Sequence, residues 1–269
     1  MKVVVLVIYF AILVGIGLYC RKHATDVNGF VLGGRSVGPW LTAFAYGTSY
    51  FSAVVFVGYA GQFGWKYGLA ATWAGIGNAI IGSLFAWMVL GRRTRVMTQH
   101  LDSATMPQFF GRRFDSKSLK IGASVIIFIF LIPYTASLYN GLSRLFGMAF
   151  NIDYSVCILL MAILTAIYVI AGGYMATAIN DFIQGIIMLI GIAAVVIAVL
   201  NDKGGLFAAI EGMKQVSDES IGAAPGAFAS ILGPDPVNLI FVVLLTSLGT
   251  WGLPQMVGKF YAIKDEKSI

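Results

Sequence analysis

Charge is what this 269-residue chain has little of. Asp, Glu, Lys and Arg make up 11% of it, against about a quarter of a soluble domain. A chain of this length can bury a sizeable core, so the scarcity of charge is not a small-size effect. Two cysteines leave no room for a disulfide framework. Cys20 and Cys157 lie in or at the end of apolar blocks and read as small core hydrophobes. The two histidines, His23 and His100, sit in basic loops and are assigned no role. There is no H-E-x-x-H, no phosphate-binding P-loop and no paired membrane carboxylate. With no catalytic constellation, no enzymatic activity is expected. The net charge of +6 is spread in short basic clusters between apolar blocks. That pattern excludes nucleic acid as the expected partner and fits loops that flank membrane helices.

What the chain has is long apolar runs, 58% hydrophobic residues in all. A bilayer core needs roughly 20 apolar residues per helix. Seven runs approach that length: Val3–Cys20, Leu41–Ala60, Leu69–Leu90, Ile121–Tyr139, Tyr154–Ile170, Phe182–Leu200 and Val237–Met256. They are too long and too evenly apolar for barrel strands, so an all-α membrane protein with seven transmembrane helices is predicted. The first run lacks an A-x-A cleavage site and is followed at once by Arg21-Lys22, so it reads as a retained helix. Of the 18 Lys and Arg residues, 13 fall in the 21–40 loop, the 91–120 loop and the C-terminal tail. The positive-inside rule then sets the N-terminus outside the cell membrane and the C-terminus in the cytoplasm. The Gly/Ala-rich 201–235 loop lies outside, with a short surface helix predicted over 208–216. No linker or composition shift divides the chain, so residues 1–269 read as a single polytopic domain.

Two runs are unlike the rest. Leu41–Ala60 carries Thr42, Tyr46, Gly47, Thr48, Ser49, Tyr50 and Ser52, a polar density that a lipid-facing helix does not have. Val237–Met256 carries Thr246, Ser247, Gly249, Thr250, Trp251, Gly252 and Pro254. Pro254 removes a backbone donor, and the glycines weaken the helix around Trp251. Such residues also pack helices against one another. As a pair five helices apart, however, the two runs cross in opposite directions. Gly/Pro-interrupted helices at matching positions of two inverted halves mark the binding site of secondary transporters. Gly47, Gly249 and Pro254 are the expected hinges.

Four ordered motifs resemble the sodium/solute symporter family. They are Phe30–Ser36 followed by Thr42-Ala43-Phe44 and Thr48–Ser52; Met106–Phe114; Gly172–Ala176 followed by Asn180-Asp181 and Gln184-Gly185; and Trp251–Gln255 with Lys259-Phe260. The resemblance implies an extra first helix followed by two inverted five-helix repeats. This chain then covers the first helix, the first repeat and the first helix of the second repeat. It implies sodium as the coupling ion, held by backbone carbonyls at positions matching Thr48 and Phe51, with Asp181 on the release route. A carboxylate favoured by a helix N-terminus is the other reading of Asp181. The resemblance further implies a small organic solute beside Tyr50, Ser52, Asn78, Ser247, Thr250 and Trp251. Asn78 either faces that solute or bonds a neighbouring helix. Arg35 is expected to close an inner gate with an acidic partner, or serves as a positive-inside charge.

Sodium/proline symporters carry Asp where Tyr50 stands, whereas sodium/pantothenate symporters resemble the chain there. The loop 106–114 and Tyr134–Ser137 look closer to the proline group. A small zwitterion or carboxylate is the expected solute. The remaining sodium ligands in the family come from a helix beyond position 269. The expected partners are therefore the bilayer, the solute and the C-terminal half of such a symporter, and the chain alone is expected not to perform coupled transport. The rival readings are a transporter-like sensor domain of a signalling protein, a non-functional truncated symporter and a proton-coupled inverted-repeat transporter.

Overall fold

The computed structural model describes residues 2–51, 59–218 and 223–269. Among them the chain is helical, with two isolated extended pairings, Val37 with Ile263 and Asp218 with Ala223. The helices are α1 (Lys2–Cys20), α2 (Val27–Leu32), α3 (Pro39–Tyr50), α4 (Ala60–Tyr67), α5 (Thr72–Gly77), α6 (Arg92–His100), α7 (Met106–Arg113), α8 (Lys117–Phe150), α9 (Tyr154–Asp202), α10 (Leu206–Lys214), α11 (Pro236–Leu248) and α12 (Pro254–Ala262). From α5 to α6 the backbone passes through π-helical turns at Asn78–Phe85 and Trp87–Gly91. Ala60–His100 is thus one long helical run.

Local chemistry explains where these helices start. Asp26, Thr105, Ser116 and Asp235 are N-caps whose side chains accept from the backbone N–H three residues on. Each satisfies a donor that the first turn leaves free, worth about 1 kcal/mol. Pro39, Pro236 and Pro254 sit in the first helical turn, where a missing N–H costs nothing.

Among the described residues three helices are long and apolar enough to cross a membrane: Ala60–His100, α8 and α9. Pro236–Gly252 with α12 makes a fourth if the interrupted pair is one span. α1 adds a shorter apolar stretch, Val4–Cys20. Their outward faces are greasy: Phe128 on α8, Ile170 on α9 and Leu245 on α11 are 70%, 72% and 74% exposed. In water, apolar surface costs about 25 cal/mol per Å², and in hydrocarbon that penalty vanishes. The chain is a helical membrane protein.

The predicted fifth and sixth segments, Tyr154–Ile170 and Phe182–Leu200, are two parts of α9. At 49 residues, a straight helix would run about 74 Å, more than twice a hydrocarbon core of about 30 Å. Gly173 interrupts it with φ 57° and ψ −149°, a region essentially closed to residues with a Cβ. The predicted second segment is described only as far as Phe51.

The chain divides into two compact units, Met1–Val54 with Trp87–Gly185 and Gly252–Ile269, and Val55–Ala86 with Ile186–Trp251. The first buries Leu32, Val37, Tyr46, Ala176, Met256, Phe260 and Ile263. The second is centred on Tyr67, Ala70 and Leu239, with Phe63, Ala71 and Val243 packed against them.

Candidate functional site

In the first unit, α3 carries the polar stretch singled out in the sequence. Tyr46 anchors it, with its ring 5.5 Å from Trp87 and 5.9 Å from Phe260 of α12. Tyr50 lies one turn on, also buried. The Thr48 hydroxyl donates to the Phe44 carbonyl at 2.8 Å. A Cβ added at Gly185 of α9 would lie 3.1 Å from Thr48 Cγ2 and 2.5 Å from the Phe44 ring, so only glycine lets α9 come this close. Gly47 itself is helical. α3 ends three residues later, where Phe51 leaves helical geometry with φ −88° and ψ 59° while its N–H still bonds the Gly47 carbonyl at 2.8 Å. The departure from helical geometry is therefore at Phe51, not at Gly47. A helix leaves the carbonyls of its last turn without partners in that helix. Ser52 lies outside the described residues.

Asp181 is not at a helix N-terminus. It sits within α9, eight residues past the Gly173 break, so the macrodipole does not account for it. Its Oδ2 lies 3.6 Å from Lys259 Nζ of α12. The Lys259 side chain is 8% exposed, and its ammonium stands 5.0 Å from the centre of the Tyr174 ring. Neighbouring positions carry buried amides: both polar side-chain atoms of Asn180 and of Gln255 find no hydrogen-bond partner among the described residues, and neither does the Tyr174 hydroxyl. Carboxylate and amide oxygens are the donor set that hard cations take.

Among the described residues Arg35 has no carboxylate within ion-pair distance, and Asp102 acts on it only at longer range. Its guanidinium donates to carbonyls of Ser103 at 2.8 Å, Thr98 at 3.1 Å and Tyr261 at 3.2 Å, and to Thr98 Oγ1 at 3.3 Å. These contacts are to carbonyls and a hydroxyl, which satisfy a part-buried guanidinium without a second charge. Burial pushes the Arg35 guanidinium below its ordinary pKa, and the nearby Arg95 charge adds to that. Arg95 donates to the Ile263 carbonyl at 2.5 Å and the Lys264 carbonyl at 3.0 Å. Two arginines thus hold the backbone that leaves α12, and the Val37–Ile263 pairing continues the clamp, with Lys264 N–H on the Val37 carbonyl at 3.0 Å.

In the second unit, Asn78 and Ser247 meet. The Ser247 hydroxyl donates to Asn78 Oδ1 at 2.9 Å, a buried bond between helices. Thr250 Oγ1 donates to the Ser247 carbonyl at 2.9 Å, and the Trp251 indole N–H to the Ile81 carbonyl at 3.0 Å, within the π-helical turn. π-turns leave helix hydrogen bonding irregular and recur at functional sites. Gly249 keeps helical angles, φ −58° and ψ −30°. The interruption falls at Leu253, extended at ψ 126°, because the ring of Pro254 bars the residue before it from helical geometry.

With this geometry in hand, comparison with known proteins decides the family. The model of the sodium:solute symporter family matches residues 30–269. The chain belongs to the sodium:solute symporter family. It is similar to the osmoregulated proline transporter OpuE of Bacillus subtilis (strain 168), with 34% identity over 265 residues covering 97% of this chain and 52% of the relative. It is similar also to the sodium/proline symporter of Staphylococcus aureus (strain JH9), with 35% identity over 281 residues covering 99% and 51%. The chain spans about half the length of the curated relatives it matches.

Two residues of this symporter-family chain escaped sequence reasoning. Lys259 was counted among cytoplasmic tail charges, yet it is buried. The available signal was its place one turn after Gln255 in a helix restarted by Pro254. Arg95 was one of several basic loop residues, and nothing in the local sequence marks it as a clamp on residues 263 and 264.

Proposed function

We propose that the chain forms part of a sodium-coupled symporter for a small zwitterionic or carboxylate solute. The observation that carries this reading is the pair of polar helices that leave helical geometry at Phe51 and Leu253, in a chain of the sodium:solute symporter family. Interrupted helices expose backbone carbonyls to a hard cation without burying a fixed charge. Thr48 and Phe51 are proposed to offer carbonyl oxygens to sodium, and Asp181 to receive the ion on its way out. Tyr50, Ser52, Asn78, Ser247, Thr250 and Trp251 are proposed to line the solute's path. Phe51 and Leu253, beside Gly47, Gly249 and Pro254, act as hinges, and Arg35 holds the inner side closed through carbonyls. We take residues 1–269 as one incomplete symporter domain of seven spans, with the N-terminus outside and the C-terminus in the cytoplasm.

Proline is the first solute to test, because the relatives' names specify it, and pantothenate is the second, because Tyr50 stands where the proline group has Asp. The experiment is uptake of each labelled solute into membrane vesicles, driven by a sodium gradient or by a proton gradient with choline replacing sodium. The expected result is sodium-driven accumulation when the chain is joined by the C-terminal half of a symporter, and none with the chain alone. Uptake that follows the proton gradient and ignores sodium would overturn the reading.

A further inference from the structure

We infer that Lys259 is a built-in competitor of the transported cation, a tethered ammonium that occupies Asp181 whenever sodium does not. The inference rests on the proposed role of Asp181 in sodium release.

Asp181 and Lys259 form a buried pair within the first unit, with side-chain exposures of 23% and 8%. Removing either charge strands the other in a poorly solvated place, which is costly. The two atoms nevertheless stand at 3.6 Å, beyond the 2.7–2.9 Å of a strong charge-assisted hydrogen bond. The ammonium is held mainly by charge, between the carboxylate and the Tyr174 ring, with no short hydrogen bond to fix it. Among the described residues Lys259 is the one donor recorded against the Asp181 carboxylate, so further lone pairs remain open to a second cation. The adjoining amides match this. Asn180 is buried, 1% exposed, with both amide atoms unpartnered, as are both of Gln255. A purely structural ion pair is normally knitted into its surroundings by such groups. Here four amide atoms near the pair in sequence, two of them oxygens, wait without partners.

Gln255 and Lys259 are one turn apart on the same face of α12, and α12 begins at the Leu253 interruption. Lys259 has a four-carbon flexible stem. It can swing its charge off Asp181 when sodium arrives and back when sodium leaves. The exchange keeps the buried carboxylate neutralised throughout, so the ion leaves without exposing a bare charge. The charge on Lys259 would also push sodium away from Asp181 once the ammonium returns, which favours release over retention.

The test reads Lys259 directly. The full chain in lipid nanodiscs is treated briefly with acetic anhydride in sodium chloride, or in choline chloride at equal ionic strength. Acylation of Lys259 is quantified by mass spectrometry against Lys264 and Lys267, which are exposed in the structure. Sodium is expected to raise Lys259 acylation several-fold and leave the two reference lysines unchanged. In Asp181→Asn, acylation should be high in both salts. Equal Lys259 acylation in sodium and choline overturns the inference, and this comparison needs no variant to fold. If uptake is sodium-driven while Lys259 is indifferent to sodium, this inference fails alone. If uptake ignores sodium, the reading beneath it fails.

Discussion

Gly173→Ala should be among the most damaging single-methyl additions this chain can receive. The glycine holds φ 57° and ψ −149° inside α9, a conformation that costs an alanine about 1–3 kcal/mol. The added methyl would also meet backbone, 2.9 Å from the Phe30 carbonyl oxygen and 3.1 Å from the Phe30 Cα. Backbone cannot yield as a flexible side chain does, and overpacking of this kind adds about 1–3 kcal/mol. The sum is about 2–6 kcal/mol, or roughly 1.5 to 4 powers of ten in the unfolding equilibrium. The control is Gly122→Ala, in the same unit, where an added methyl meets nothing within 4 Å in α8. That change should stabilise by about 0.5–1 kcal/mol through helix propensity. Both are measured by SDS titration of the chain from mild detergent, followed by circular dichroism. If Gly173→Ala falls within about 0.5 kcal/mol of Gly122→Ala, the break in α9 is not where the structure has it and the reasoning is wrong.

Other outcomes follow from the contacts. A double-mutant cycle on Asn78→Ala and Ser247→Ala should give a coupling of about 0.6–1.7 kcal/mol, the range of membrane interhelical hydrogen bonds; zero coupling rejects the contact. Lys259→Met should cost about 3–5 kcal/mol, and adding Asp181→Asn should recover part of it because the stranded carboxylate is gone. Strictly additive losses in SDS titration would argue that the two charges do not sense each other. Arg95→Met should speed tryptic cleavage after Lys264, since it frees the carbonyls of residues 263 and 264. Arg92→Met should leave that rate nearly unchanged, because the Arg92–Glu266 pair is 76% and 44% exposed and such pairs contribute about 0–1 kcal/mol; equal effects from the two variants would refute the clamp.

Much of the helical frame was legible before any coordinates. Long apolar runs announce membrane helices because lipid leaves the backbone no other partner. The departures from helical geometry at Phe51 and Leu253 fall within a few residues of the glycines and proline that mark a weak helix. Their positions depend on different physics: Leu253 is extended because Pro254 follows it, whereas Gly249 stays helical. At Gly172-Gly173, the pair is visible, but which glycine takes the positive φ depends on the approach of Phe30, which no local pattern encodes. Lys259 was misread for a similar reason. A rule that counts basic residues near span ends takes each as solvated, and only packing against Asp181 and Tyr174 reveals a buried one. The carbonyl partners of Arg35 were out of reach too, because backbone acceptors carry no residue signature.

The clamp on the end of α12 bears on how the chain is made. Arg95 waits for the carbonyl of a residue 168 positions later, and Arg35 for one 226 positions later. At about 5–20 residues per second, the ribosome needs roughly ten to forty seconds to supply them. Through that interval the Arg95 guanidinium must stay in water, since burying it without its carbonyl acceptors is too expensive, whereas Arg35 can already bond Thr98 and Ser103. The early helices can therefore be inserted, but the first unit cannot close until synthesis has passed residue 264. Closure of this unit is gated by the synthesis of residues 261–264, long after its first helices are made.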